Sequence, residues 1–422
     1  MTNSIELIEK IEGEAKLNFS FKNKKIDFVD IEFASSRHIE NILKGKNPLD
    51  ALVINPRVCG ICGHAHLIAT VQALENCYEN IEISQKAKIV RELTLNFEII
   101  QNHFKWIYLT LFPLLGFKQN IKGATYPSQL MSKAIATVGG QYPHNSYAIV
   151  GGIVSEISSI DLIKMENYLD EVIKFYQDTV IDATIEDFLV CENIEKILSA
   201  TGDLPKILNT LKNQEIAKEG KSFDRFIAFG DNSYFKSGRG VKTKINHNIN
   251  VKYVNEHPNQ NSYAKNVKFK NYYYEVGALS RAMINKTPLI KDSHRRYQDS
   301  IFSRILARIC EIPQLLIHSK KLISQIDLEE PSYIKPTIDI SNIKGTGVGV
   351  VEAARGSLIH KVTIKENIIK DYQIITPTQW NLSNGNKDDL GISQKAMVGL
   401  KDTQLAQIVF KSFDVCSVCT TH

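Results

Sequence analysis

Apolar and polar positions alternate over residues 15–21 and 26–33 of the chain, the pattern of two half-buried strands. The basic run from Lys22 to Lys25 around Asn23 predicts a solvated hairpin turn between them, and Gly13 marks a bend before the first. Residues 37–44 predict a short helix stopped by Gly45, with Pro48 just beyond. Apolar residues then recur at helical spacing from Gly63 to about Tyr78. They do so again from Ser84 towards Leu111, with Leu93, Phe97, Ile100, Phe104 and Ile107 along one side. Residues 128–138 and 159–177 also predict helices, the latter opened by Ser159 and Asp161. So does 292–325, where Pro313 is expected to kink or divide the helix. The stretch 220–275 changes character: it is rich in Asn, Lys and Tyr, is punctuated by Gly220, Gly230, Gly238 and Gly240, and predicts short strands and loops in a surface excursion. Residues 358–364 and 369–375 predict two strands joined at Lys365-Glu366-Asn367, and a last helix near 402–411 leads to the terminus. The fold class expected is mainly α with peripheral β (α+β). Residues 1–35 form an N-terminal β element within a single interlocked unit spanning 1–422.

Composition adds bounds. An apolar fraction of 43% and a charged fraction of 23% are those of a soluble globular protein. The net charge of +5 is small and dispersed, which argues against nucleic acid or a membrane surface as partner. No apolar signal core opens the chain, and the longest apolar run, near Trp106 to Leu115, is too short to span a bilayer and contains Pro113. A cytoplasmic location is therefore expected, with a periplasmic or membrane-associated one reachable only through a partner. Seven cysteines in so long a chain make no disulfide framework, and Cys77, Cys191 and Cys310 lie in apolar-patterned segments expected to hold them as buried free thiols.

The other four cysteines form two C-x-x-C pairs near opposite ends. The first is Arg57-Val58-Cys59-Gly60-Ile61-Cys62-Gly63-His64-Ala65-His66; the second is Asp414-Val415-Cys416-Ser417-Val418-Cys419-Thr420-Thr421-His422. Each pair can grip one metal ion as thiolates. Zinc ribbons place their pairs tens of residues apart, so a site closed over nearly the whole chain needs the fold first. Taken alone, the pairs leave a metal site, structural zinc and unrelated thiols all open.

The flanking residues go further. R-x-C-G-x-C-x-x-x-H near the start and D-x-C-x-x-C-x-x-H at the end resemble the signatures of the large subunit of nickel–iron hydrogenases. The resemblance implies that family's fold, a long central helix bundle with small β elements. It also implies a nickel–iron centre carrying carbon monoxide and cyanide. Cys59 and Cys416 would be terminal nickel ligands, and Cys62 and Cys419 would bridge to iron. Because the family precursor is usually cut just after the histidine, a chain ending at His422 is expected to be the matured form or one encoded without an extension.

Other segments carry the resemblance over roughly 10–65, 88–110, 136–152, 275–310 and 350–422. Ile11-Glu12-Gly13 matches an R-I-E-G segment with Lys10 in place of arginine, which implies that Glu12 is the first proton acceptor. Glu40, before Gly45-Lys46-Asn47-Pro48, matches a glutamate that ligates magnesium together with the C-terminal histidine and a backbone carbonyl. Those map onto His422 and the carbonyl of Ile374, for Mg²⁺ or another divalent ion. Glu352-Ala353-Ala354-Arg355-Gly356-Ser357-Leu358-Ile359-His360 resembles E-A-P-R-G-x-L-x-H and places Arg355 over the open metal position. Ile375-Thr376-Pro377-Thr378-Gln379-Trp380-Asn381 resembles V-V-P-S-T-W-N. There Thr378 keeps a hydroxyl for cyanide, and Thr376, replacing an apolar residue, is expected to make the pocket more polar. His66 matches a histidine that donates a hydrogen bond to a bridging sulfur, whereas His64 has no counterpart. Asn102-His103 falls where relatives have aspartate and histidine, so Asp414 gains weight as the counter-charge to Arg355. The glycines of Gly345-Thr346-Gly347-Val348-Gly349 lack the lysine of a phosphate loop.

The implied activity is heterolytic cleavage of H2 to protons and electrons. With too few cysteines left for a relay, a partner is implied, an iron–sulfur small subunit, in a higher oligomer of heterodimers. Two alternatives remain at this stage: a hydrogen-sensing relative of low turnover, and a non-catalytic structural subunit such as the homologue in respiratory NADH:quinone oxidoreductase, which lacks the metal cysteines.

Overall fold

A computed structural model describes residues 2–9, 13–230, 234, 238–242, 245–259 and 262–416. Strands β1 (Thr2–Glu9), β2 (Gly13–Lys22) and β3 (Lys25–Phe33) form an antiparallel sheet. Across it Ala15 faces Phe33, Leu17 faces Ile31 and Phe19 faces Val29, all buried. Asn23 and Lys24 both sit at positive φ (52° and 60°), the two-residue turn whose twist suits such a hairpin. The alternating pattern identified β2 and β3 but not β1, which has little alternation to detect.

After the short helix α1 (Ile39–Leu43), helix α2 (Gly63–Glu75) leads to α3 (Gln85–Lys105), capped by the Ser84 hydroxyl, which accepts from the Ala87 amide at 3.1 Å. Most of α3 is buried, and it continues through a wider π-type turn over Trp106–Leu111. It packs between α4 (Ile121–Gly139) and, further along the chain, the second long helix of the bundle; α5 (Ser159–Phe175) covers α4. Helix α4 begins earlier than its apolar pattern predicts because Asn120 caps it, accepting from the Gly123 amide at 2.9 Å.

Strands β4 (Arg225–Ala228), β5 (Arg239–Lys242), β6 (Ile245–Asn248), β7 (Val254–His257) and β8 (Asn266–Phe269) fill the stretch expected as an excursion. They do not lie loosely on the surface. Ile227, Phe229, Val267 and Phe269 are buried together with Ile359, Ile375 and Trp380 in a second apolar cluster. After α6 (Ala278–Asn285), α7 (Pro288–Tyr297) and α8 (Ile301–Ile323) separate at Gln298–Ser300, not at Pro313. Pro313 sits inside the unbroken α8. Proline leaves the carbonyl four residues earlier without its helical donor, and here the Tyr176 hydroxyl donates to that carbonyl, Ile309 O, at 3.0 Å.

Strands β9 (Gly345–Ala353), β10 (Gly356–Lys365) and β11 (Ile368–Ile375) form an antiparallel sheet laid on α2. The glycine run is part of β9. A Cβ on Gly347 or Gly349 would fall 1.9 Å from the carbonyl oxygen of Ala73 or Ala69, so only glycine lets the strand lie this close to the helix. Helices α9 (Pro377–Asn381) and α10 (Thr403–Ser412) bring the chain to Cys416. The fold is α+β, with long helices central and small antiparallel sheets around them.

Candidate metal centre

Cys59 and Cys62 sit in the loop that opens α2, and Cys416 follows α10. The fold closes the distance: Cys59 Sγ and Cys416 Sγ are 3.8 Å apart and buried. That is too long for a disulfide. It is the spacing of two ligands each about 2.3 Å from one tetrahedral ion. Cys419 lies outside the described residues, as do Glu12 and His422. The thiolate loop is held from α3. Asn102 Nδ2 donates to Ile61 O at 3.1 Å and to Glu98 O at 2.7 Å, and the Tyr142 hydroxyl, 3.0 Å from Ile61 O and 3.1 Å from Glu98 Oε2, shares one proton between them.

A small, largely enclosed pocket is lined by Cys62, His66, Arg355, Leu358, Pro377 and Thr378, with Ala353. Arg355 is buried, donates from Nε to the Asp414 carbonyl at 3.1 Å and lies 3.3 Å from Asp414 Oδ1. Asp414 Oδ2 also faces Arg308 at 3.7 Å, so this single carboxylate stands between two guanidiniums. The bonds of Asn102 run to the cysteine loop. Thr378 Oγ1 accepts from the Cys416 amide at 3.4 Å.

Two expected pocket residues have other places. The Thr376 hydroxyl caps α9, accepting from the Gln379 amide at 3.4 Å while Gln379 Oε1 accepts from the Thr376 amide at 2.6 Å. Its hydroxyl is engaged in the helix cap, and Thr376 does not line the pocket described above. His103 Nε2 is 2.8 Å from Glu311 Oε2; burial holds its pKa below the usual histidine value. It belongs to a buried charge network around Arg281, which reaches Glu311 at 2.5 and 2.6 Å and Glu352 at 3.0 Å. Arg281 also donates to Ala353 O at 3.0 Å and Ala354 O at 3.3 Å, and so fixes the turn that carries Arg355. Removing one partner of such a buried pair leaves the others charged and uncompensated. Arg281→Met is expected to lower stability by about 3–5 kcal/mol, read as an earlier urea midpoint at unchanged slope.

A second site of different chemistry lies below. Glu40 Oε1 accepts from the Ile374 amide at 2.8 Å, across 334 positions of sequence, and Oε2 is 3.2 Å from Lys265 Nζ. Lys265 also lies 3.5 Å from Glu256, which accepts from the side-chain amides of Gln373 at 2.5 Å and Gln379 at 2.8 Å. Oxygen donors of this kind suit a hard divalent cation, with water completing its shell. Among the described residues, no three His, Cys, Asp or Glu side chains converge closely enough to complete a metal site.

The model of the nickel-dependent hydrogenase family matches residues 37–112 and 126–422. The chain belongs to that family. Sulfhydrogenase 1 of Pyrococcus furiosus has an alpha chain 23% identical over 99% of this chain and 97% of its own length. The large subunit of the periplasmic NiFeSe hydrogenase of Desulfomicrobium baculatum is 24% identical over 99% and 94%. The Ni-Fe-Se hydrogenase of D. vulgaris Hildenborough superposes with a TM-score of 0.85 at 21% identity, with both chains fully covered, which establishes the fold. The protein is thus a hydrogenase of the catalytic large-subunit type, whose family implies a nickel–iron centre. Among the described residues no helix is long and apolar enough to cross a membrane.

Within this hydrogenase, sequence reasoning missed the residues that orient the cysteine loop. Glu98 is buried one helical turn before Asn102. Its carboxylate accepts from the His64 and Ala65 amides, both at 2.9 Å, and from the Tyr142 hydroxyl at 3.1 Å. It serves as a remote cap for the first turn of α2, which starts at the residue after Cys62. Burial pushes its acid up to about 8 against those three donors. The signal available in sequence was a lone glutamate on the apolar side of a helical pattern. Glu98→Gln keeps one acceptor but turns an N–H₂ group towards a backbone donor. It is expected to cost about 1–3 kcal/mol, measured by urea unfolding of the full chain.

Proposed function

We propose that Cys59, Cys62, Cys416 and Cys419 would hold the nickel–iron centre as thiolates, and that the chain there oxidises H2 by heterolytic cleavage. The convergence of Cys59 and Cys416 carries this reading. When bound, the centre supplies the Lewis acid that lowers the pKa of H2.

The chain supplies the rest. The enclosed pocket excludes bulk water, which strengthens every charge inside it. Arg355, anchored on Asp414, presents its guanidinium to that pocket and polarises the bound H2. A cysteine thiolate takes the proton and passes it to Glu12, a role a carboxylate can fill when burial raises its pKa. The Thr378 hydroxyl accepts the Cys416 amide, and its own proton would be available to an anionic ligand of the centre. Glu40, the Ile374 carbonyl and His422 hold Mg²⁺ or another divalent ion.

The electrons pass to an iron–sulfur small subunit. Cys77, Cys191 and Cys310 form no disulfide, and no three metal-ligating side chains converge among the described residues, which leaves those residues without the four clustered thiolates of an iron–sulfur centre. We propose a cytoplasmic location, a single interlocked unit spanning 1–422, and a higher oligomer of such heterodimers. The test is an infrared spectrum of the purified protein together with metal analysis. Metal-bound carbon monoxide and cyanide bands with nickel support the reading; zinc alone, without such bands, defeats it.

A further inference from the structure

Behind the pocket, Asn55, Thr70, Tyr372, His360 and His66 form one buried string of hydrogen bonds. Each has few protons to give, so the direction of every bond can be worked out. Thr70 Oγ1 lies 2.7 Å from the His66 carbonyl, which can only accept, so the one hydroxyl proton of Thr70 points there. Asn55 Nδ2 donates to Thr70 Oγ1 and to the Tyr372 hydroxyl oxygen, both at 2.8 Å. Tyr372 keeps its own proton for the nearest remaining acceptor, His360 Nδ1 at 2.9 Å; Thr70 Oγ1 is further, at 3.3 Å. With Nδ1 accepting, a neutral His360 carries its proton on Nε2, and Nε2 lies 3.0 Å from His66 Nδ1. His66 must accept at Nδ1 and carry its proton on Nε2. Two ring nitrogens 3.0 Å apart can hold only one proton between them, and burial keeps His360 well below the usual histidine value, so the pair does not become doubly charged.

We infer that Asn55, Tyr372 and His360 form a one-way hydrogen-bond relay that locks His66 as its Nε2–H tautomer, so that a proton rather than a lone pair faces the thiolate pocket beside Cys62. The three are positioning residues. None touches the pocket, yet together they decide whether His66 withdraws charge from a sulfur or repels it. Four of the five members of the string lie on the two walls of the site, α2 and the β10–β11 pair; Asn55 stands at the start of the turn that leads into the cysteine loop. The tautomer is a property of the chain alone; its consequence for catalysis rests on the proposed metal centre.

The experiment uses the full chain with ¹⁵N-labelled histidine. Two-bond ¹H–¹⁵N spectra separate the tautomers, and the N–H···N coupling across the 3.0 Å contact identifies the His66–His360 pair without mutation. Both rings are expected as Nε2–H. In Tyr372→Phe the relay loses its donor, His360 turns its proton to Nδ1 and Thr70, and both rings are expected to reverse to Nδ1–H. In the metal-loaded protein the same variant is expected to retain nickel, to shift the carbon monoxide band to lower wavenumber, and to lose roughly 10–100-fold in hydrogen-dependent dye reduction. A wild-type His66 protonated at Nδ1 overturns the relay, whether or not the variant folds. Absent carbon monoxide and cyanide bands would defeat the hydrogenase site while leaving the tautomer result standing.

Discussion

Cys59→Ser is expected to yield a folded chain that carries no nickel and reduces dye with hydrogen only at background rate. Serine is close in size to cysteine, so the buried loop keeps its shape. What changes is the ligand: a hydroxyl is protonated at neutral pH and is a hard donor, whereas the site calls for soft thiolate. Cys59 is fully buried, 3.8 Å from Cys416 Sγ. Its sulfur also accepts from the Ile61 amide at 3.4 Å, a bond that a thiolate strengthens. The control is Cys310→Ala. Cys310 is also buried, on α8, where burial, with a smaller contribution from Cys191, pushes its thiol far above the ordinary value; it is an inert packing group. Removing its sulfur is expected to cost roughly 1 kcal/mol or less, about what a cavity of methyl size costs, with nickel per chain unchanged. Nickel is counted by mass spectrometry of acid-digested protein. A Cys59→Ser chain that keeps full nickel would remove Cys59 from the ligand set, and a Cys310→Ala chain that loses it would show that Cys310 is not an inert packing group.

What could be read from sequence divides along the range of the interactions involved. Local periodicity located the long helices and the β2–β3 and β10–β11 hairpins, because strand alternation and turn residues are properties of adjacent positions. The C-x-x-C flanks pointed to Cys59 and Cys416, whose sulfurs the fold brings to 3.8 Å. Pro313 does not divide the helix because the carbonyl it leaves without a donor, Ile309 O, is met by the Tyr176 hydroxyl, 133 positions before Ile309. The glycines of β9 had no visible purpose until α2 lay against them. The His66–His360 contact spans 294 positions, and its polarity depends on Tyr372 and Asn55, neither of which carries a motif. Thr376 is a different case: Thr376-Pro377-Thr378-Gln379 is a capping box with proline at the first helical position, a purely local signal. The cap was legible, and comparison with an apolar residue in relatives obscured it.

Arg355→Lys is expected to keep nickel and both classes of infrared band while lowering turnover by roughly 10²–10³-fold, equivalent to about 2.7–4 kcal/mol of lost transition-state stabilisation, the range seen when one preorganised donor is removed. The geometry explains why lysine fails. Arg355 uses Nε to hold Asp414, at 3.1 Å to its carbonyl and 3.3 Å to its carboxylate, and this leaves the outer edge of the guanidinium directed by that anchor. An ammonium is a point charge with no fork, so it can sit on Asp414 or reach into the pocket, but not both. Asp414 would draw it back, because Arg308, at 3.7 Å, is the other cation facing that carboxylate among the described residues. Asn102, bonded to Ile61 O and Glu98 O, offers no second negative charge to redirect it. The loss should therefore appear in kcat, with metal content and thermal midpoint close to wild type. A Lys variant with wild-type turnover would make Arg355 a structural partner of Asp414 and assign the work at the pocket to the cysteine sulfurs alone.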